Sequence, residues 1–276
     1  MDEKEFYSIG EVSKICNISK KALRFYDKIG IISPDKVCDE NNYRFYNRVT
    51  LLSLPVIKYY KQMGFKLEEM RELFECNNYE VIERHFRKKI DELKELERNI
   101  HNSYTSVKDW YDLVLEAELV IKNDVHEVAV KYVDSTIYCY MEQDFDYNYR
   151  EAIINIDWTN YLDSIHNEIT GPVILNFSSF REKMSGKSKR VKIMQKPILE
   201  YLEDQVTKVG GDMVASCYHI GSPQTISKSY QKICDWADEH GYVCHDECFE
   251  RYVTDYWTTR NEDQFVTEIM IGITRA

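Results

Sequence analysis

The sequence predicts an α+β multidomain protein: a winged helix-turn-helix at the N-terminus, a long coiled-coil dimerisation helix, and a C-terminal α+β domain with a pseudo-two-fold repeat. Three observations carry this prediction. Two short, capped helices followed by hairpin signals open the chain. A stretch free of Gly and Pro runs from Tyr79 to about Leu115 with apolar residues every seven positions. After Lys122 the pattern changes to alternating strands that repeat one plan. The predicted boundaries are residues 1–76, 77–119 and 120–276.

The head is read from its caps. Ser8-x-x-Glu11 forms a capping box, and Ile9, Val12 and Ile15 follow on one face. Ser19 caps a second helix in which Ala22, Leu23 and Phe25 supply packing. Lys20, Lys21 and Arg24 lie within one turn of each other there, and Gly30 ends the helix at its C′ position. Pro34 and the run Asp39–Asn42 mark turns, so a hairpin is predicted with its tip near Asn41-Asn42. Tyr43, Arg44 and Tyr46 follow that tip. An arginine fork suits phosphate, and tyrosine brings a flat ring and a hydroxyl donor.

The connector carries a heptad. Phe86, Leu93, Ile100, Val107 and Val114 recur every seven residues, and Ile82, Lys89, Leu96, Ser103 and Trp110 take the companion positions. Such a stripe on a helix of this length needs a partner helix, which predicts dimerisation.

The C-terminal part reads as strands at "HEVAVKYV", "TIYCYMEQ", "GPVILNFS", "GDMVASCYHI", "GYVCHDECFERYV" and "QFVTEIMIGITR". Helices are predicted at about Tyr147–Glu168 and Ser222–His240. Each half runs strand, polar loop, helix, strand. Trp158 and Trp236 take similar places, and Gly171 and Gly241 precede the returning strands. Two such units predict a cleft between them.

Composition narrows the function. The chain carries a net charge of −11, unevenly spread. Residues 1–75 are net +1 and the remainder net −12, while residues 14–48 hold 8 basic and 4 acidic side chains. A locally basic head on an acidic body fits two different partners. No apolar run is long enough for a membrane span, and the acidic N-terminus lacks an apolar signal core. The eight cysteines have no framework spacing and read as reduced thiols.

The head, "YSIGEVSKICNISKKALRFYDKIGIISP" with "NNYRFYN" and "KQMGFKLEEMRELF", resembles the N-terminal domain of the MerR family of bacterial transcription regulators. The resemblance covers roughly residues 6–75. It implies that Lys20, Lys21, Arg24 and Tyr26, with Tyr43, Arg44 and Tyr46 of the wing, lie at the DNA surface, and it assigns Arg24 to phosphate. It also implies an antiparallel coiled coil that spaces two heads on a palindromic promoter. Metal-sensing members carry cysteines around the end of the long helix. Here none occurs between Cys76 and Cys139.

Residues 120–276 are similar to the gyrase-inhibitor-like domain of the multidrug-binding branch. The repeat plan, the closing "VTEIMIGI" strand and an acidic residue on the strand before it carry this weaker likeness. It implies a carboxylate at Glu250 that neutralises flat, lipophilic cations. Strand alternation puts Cys244, Asp246, Cys248, Glu250 and Tyr252 on one face. Tyr218, Tyr140, Tyr147, Tyr252, Tyr256 and Trp257 are the aromatic candidates for the site.

The family likeness implies a cytoplasmic bacterial homodimer that activates transcription on binding a lipophilic or aromatic effector. Its partners are double-stranded promoter DNA with an over-long spacer and RNA polymerase, with no cofactor, no catalytic residue and no membrane. Two other chemistries stay open: a metal or thiol response at Cys244-His245-x-x-Cys248, and ligand hydrolysis in the C-terminal domain. Alternation turns His245 away from the two cysteines, so a tetrahedral site is awkward.

Overall fold

The computed structural model describes residues 5–76 and 78–276. It divides into two compact units between Asn99 and Ile100. The first four residues of the predicted head and residue 77, the predicted start of the connector, lie outside the described residues.

The head follows its capping signals. Strand β1 (Tyr7–Ser8) leads into helix α1 (Ile9–Cys16), where Ser8 and Glu11 form the reciprocal capping box. Helix α2 (Lys20–Lys28) is capped by Ser19, and Gly30 follows it with φ +75 as predicted. The hairpin pairs β2 (Lys36–Val37) with β3 (Arg44–Tyr46), and β1 adds to the other edge of β3. Asn42 takes φ +56 at the tip, a conformation that asparagine tolerates better than most residues. Helices α3 (Arg48–Gln62) and α4 (Leu67–Glu75) close a core around Val12, Leu23, Leu54, Ile57 and Met70. Two packing assignments change. Ile15 and Phe25 are exposed, because α1 and α2 are too short to bury more than one face each.

Helix α5 (Tyr79–Lys122) is 44 residues long, about 66 Å. Leu93, Ile100, Val107 and Val114 are all exposed along it, with Tyr104 and Tyr111 beside them. The companion row is divided. Lys89 is buried between Glu69 and Glu92, and Trp110 packs beside Leu113, Ala117 and Val120 on the C-terminal domain.

The second unit is an eight-stranded sheet with short helices on one face and the last turns of α5 on the other. In chain order its elements are β4 (Ala129–Val133), β5 (Thr136–Asp144), α6 (Tyr149–Ile153), α7 (Ile156–Ser164), β6 (Ile169–Phe177), α8 (Phe180–Met184), β7 (Arg190–Pro197), β8 (Val206–Val209), β9 (Asp212–Ile220), α9 (Ser227–His240), β10 (Tyr242–Thr254) and β11 (Val266–Arg275). Across the sheet the order is β4-β9-β11-β10-β6-β7-β5-β8. The sequence β9, α9, β10, β11 therefore mirrors β5, α6–α7, β6, β7. The halves join through the antiparallel pair β10–β6, with Glu250 opposite Leu175.

The repeat is as predicted, but each half of the sheet holds four strands, of which β7 and β8 were not foreseen. The predicted helix at 147–168 is two helices, since Asn155 caps a new start at α7. The helix predicted from Ser222 begins at Ser227. Gly171 sits inside β6 at a break in register, not before the strand, whereas Gly241 ends α9 with φ +70. Between sheet and helices, Trp158, Phe177, Tyr230, Tyr252 and Ile233 form the core. Each such side chain contributes about 1.5–3 kcal/mol by leaving water. Among the described residues no helix is long and apolar enough to cross a membrane.

Candidate functional site

Strand parity on β10 builds the site. Cys248, Glu250 and Tyr252 point into the core beneath the helices, and Cys244 packs against that core. His245, Glu247 and Phe249 line a cavity of about 240 Å³ on the opposite face. Cys244 instead lies beside the Cys234 thiol of α9, whose influence lowers its pKa, while burial pushes the Cys248 thiol up to about 12. Among the described residues no three His, Cys, Asp or Glu side chains are grouped to hold a metal ion.

Glu250 is fully buried, with 0 % exposure. A buried carboxylate without partners costs several kcal/mol, so its surroundings must compensate it. Tyr230 of α9 donates to Oε1 at 2.9 Å, and Tyr252 donates to Oε2 at 2.5 Å. Burial first, then the charge of Glu250, push both hydroxyls well above the ordinary tyrosine range, so both stay protonated donors. The third partner is a cation. Lys183 of α8 places Nζ 3.0 Å from Oε1, and its side chain is 2 % exposed.

Aromatic rings enclose that ammonium. Its Nζ lies 4.7 Å from the Tyr149 ring centre, 4.8 Å from Phe177, 5.3 Å from Tyr147 and 5.4 Å from Phe145. These are cation–π distances. Lys183 Nζ also donates to the Tyr149 hydroxyl, while Tyr147 donates to the Lys183 carbonyl at 3.2 Å. Beside this cluster a cavity of about 190 Å³ is lined by Tyr147, Tyr149, Lys183, Pro223, Ile226 and Tyr230.

On the other face of the sheet, Arg251 bridges Glu268 of β11 and Glu116 of α5. Lys131 of β4 also pairs with Glu268. Burial works to lower the pKa of Arg251, but Glu268 and then Glu116 outweigh it and raise it. This network ties the last turns of α5 to the sheet. Arg251 is engaged there and makes no pair with Glu250.

The basic face of the head is also definite. Lys20, Lys21 and Arg24 are exposed along α2, and Tyr43 is exposed at the hairpin. Arg44 is half-buried and held by Asp27. Two predicted surface residues are not at the surface. Tyr46 is 1 % exposed and lies in the core of the head, because its place on β3 turns it inward. Tyr26 is 4 % exposed, and its hydroxyl bonds to Lys61 of α3.

Residues 7–76 match the MerR HTH family regulatory protein model, and residues 126–274 match the GyrI-like small molecule binding domain model. The chain belongs to the MerR-type regulators that carry a GyrI-like domain. The chain is 41 % identical to the multidrug-efflux transporter 1 regulator of Bacillus subtilis (strain 168), over 36 % of this chain and 37 % of that relative. It is 21 % identical to the multidrug-efflux transporter 2 regulator of the same organism, over 99 % of this chain and 98 % of that relative. A solved structure described as the cryo-EM structure of an EcmrR–DNA complex in EcmrR-RPo aligns over 98 % of this chain and 100 % of that chain. Its TM-score is 0.47, with 20 % identity.

Within the GyrI-like domain, Glu250, Tyr252 and Tyr147 of the predicted site come together. Four predicted residues do not join them. Tyr140 follows the core-facing Cys139 on β5, so parity turns it to the other face, where Lys192 covers its ring at 5.8 Å. Tyr218 follows core-facing Cys217, and its hydroxyl donates to Glu116 at 2.7 Å. Tyr256 packs edge-on against Phe265 and bonds Glu262. Trp257 is 60 % exposed in the turn after β10. Sequence reasoning missed Lys183, Tyr230, Phe145 and Phe177. One signal was present: Phe180, Lys183 and Met184 share a helical phase, which put a lysine on an apolar face.

Proposed function

We propose that this chain is a ligand-responsive, promoter-binding transcription activator that works as a homodimer in the bacterial cytoplasm. One observation carries the reading: a fully buried glutamate, Glu250, lies in an aromatic chamber between two repeats of a GyrI-like domain. Such a chamber suits lipophilic aromatic cations, whose diffuse charge is attracted to ring faces and to the carboxylate.

The head supports DNA as the other partner. Lys20, Lys21 and Arg24 present three cations on one short helix, which suits the phosphate backbone. The exposed seam of Leu93, Ile100, Val107 and Val114 supports an antiparallel coiled coil between two copies. The effector favours a dimer geometry that shortens an over-long promoter spacer for RNA polymerase. Bending and untwisting DNA costs several kcal/mol, and the ligand supplies only its difference in affinity between the two states. The protein binds its ligand rather than turning it over; its matched relatives carry the names of regulators. Those names support efflux genes as the regulated class.

The test is transcription in vitro from the fragment upstream of its own gene, with tetraphenylphosphonium added. The wild type is expected to activate with added ligand. Glu250→Gln is expected to need about tenfold more ligand or beyond. An unchanged dose response in that variant would overturn the cation assignment.

A further inference from the structure

The chamber around Glu250 already holds a cation, and it is the protein's own. Lys183 places its ammonium 3.0 Å from Glu250 Oε1, bonded to the Tyr149 hydroxyl and facing the rings of Phe145, Tyr147, Tyr149, Phe177 and Tyr230. A carboxylate backed by two tyrosine donors and walled by aromatic rings is the arrangement that recognises an organic cation. We infer that Lys183 is a tethered competitor: it fills the cation subsite in the ligand-free protein, and a cationic effector must displace it to reach Glu250. The inference rests on Glu250 being the cation end of the ligand site.

The exchange has a clear physical preference. A lysine ammonium is a compact, strongly hydrated charge, so its return to water recovers hydration that burial had removed. A delocalised aromatic cation is weakly hydrated and loses little on entering. Exchange therefore favours large, diffuse cations. Small inorganic ions and simple alkylammonium ions are rejected, since they must give up as much hydration as Lys183 regains. The lysine thus sets both a specificity filter and a threshold, because apparent affinity falls by the fraction of molecules whose subsite is open.

The fold gives Lys183 a route out. It sits on α8, a helix of five residues, followed by Gly186 with φ +72. The cavity of about 190 Å³ that Lys183 lines is also bounded by Pro223, Gln224 and Ile226. The same short helix carries Arg181, which pairs with Asp246 of β10.

The test uses the full chain and two probes of the same shape and opposite charge, tetraphenylphosphonium and tetraphenylborate. By titration calorimetry, Lys183→Met is expected to bind tetraphenylphosphonium about tenfold tighter than the wild type, and Glu250→Gln about tenfold weaker. Unchanged or weaker binding in Lys183→Met, with Glu250→Gln still weakened, would overturn the competitor while leaving the cation site standing. No change in Glu250→Gln would instead remove the site itself. Tetraphenylborate binding that is lost in Lys183→Met would make Lys183 an anion receptor, which also overturns the inference. Since Lys183→Met leaves a buried charge unpaired and can fail to fold, a second readout uses the wild type alone. Acetylation of Lys183 by N-hydroxysuccinimidyl acetate, followed by peptide mass spectrometry, is expected to accelerate about tenfold at saturating tetraphenylphosphonium. Bound ligand with Lys183 still protected would refute displacement.

Discussion

The Arg44 Nε lies 2.7 Å from the Asp27 Oδ2, joining the hairpin to the second helix of the head. The guanidinium that the sequence offered to DNA is thus partly committed to holding the wing at a fixed angle to α2. Arg24, by contrast, is exposed along α2. Removal of Arg24 (Arg24→Ala) is expected to weaken promoter binding by about tenfold and to lower the salt slope by about one. Arg44→Ala should weaken binding less while loosening the wing. Gel-shift titrations over a salt series separate the two, and a larger loss for Arg44 would reverse their roles.

Glu250 depends on its tyrosine donors as well as on its cation. Tyr230→Phe leaves Oε1 with Lys183 as its remaining partner in a fully buried site. A hydrogen bond to a charged group is worth about 1.5–3 kcal/mol, so urea denaturation should show a loss of that size. Tyr252→Phe should cost a similar amount, and the double variant less than the sum, since both act on one group. Strict additivity would mean that the two hydroxyls do not share Glu250.

Asp255 gives the C-terminal domain a pH signature. Burial raises its pKa from 3.8 to about 6, against the backbone hydrogen bond from Trp257, which lowers it. The folded state therefore holds this proton more tightly than the unfolded state. Its contribution to stability is fully present below about pH 4 and is lost as pH rises through about 6. Asp255→Asn keeps the acceptor for Trp257 and removes the charge. The variant should be more stable than the wild type at pH 7–8, by up to about 3 kcal/mol, with the gap closing near pH 4. Paired denaturation curves across that range would reveal a constant gap if burial of Asp255 were not the cause.

The seam of α5 can be tested by charge. Ile100→Glu with Val107→Glu puts like charges on the exposed apolar row and is expected to convert a dimer to a monomer in sedimentation velocity. Both side chains are exposed in the single chain, so the helix and the C-terminal domain should keep their circular dichroism. A dimer that survives both changes would place the interface elsewhere.

Much of this fold was legible because it follows local rules. The Ser8–Glu11 box, the Ser19 cap and the heptad of α5 each depend on residues close in sequence. Strand alternation likewise found the core face of β10, with Glu250 on it. The chamber was harder to read. Its walls come from the loop after β5 and from α6, β6, α8, α9 and β10, and no local pattern says which of 21 tyrosines turn inward. Tyr140 and Tyr218 were misplaced by one strand position, since Cys139 and Cys217 take the core parity beside them. Lys183 was hidden by its type: lysines are almost never buried unless paired, and its partner lies 67 positions away in the other repeat.

The β10–β6 pair at the centre of the sheet has one more consequence. Lys183 follows β6 and belongs to the first repeat, while Glu250 belongs to the second. Each half on its own would bring one sign of charge into an apolar interior with nothing opposite it. The two copies are thus no longer interchangeable: one has become the donor of the plug, the other the seat. Neither half can be trimmed or exchanged without stranding the charge kept by the other.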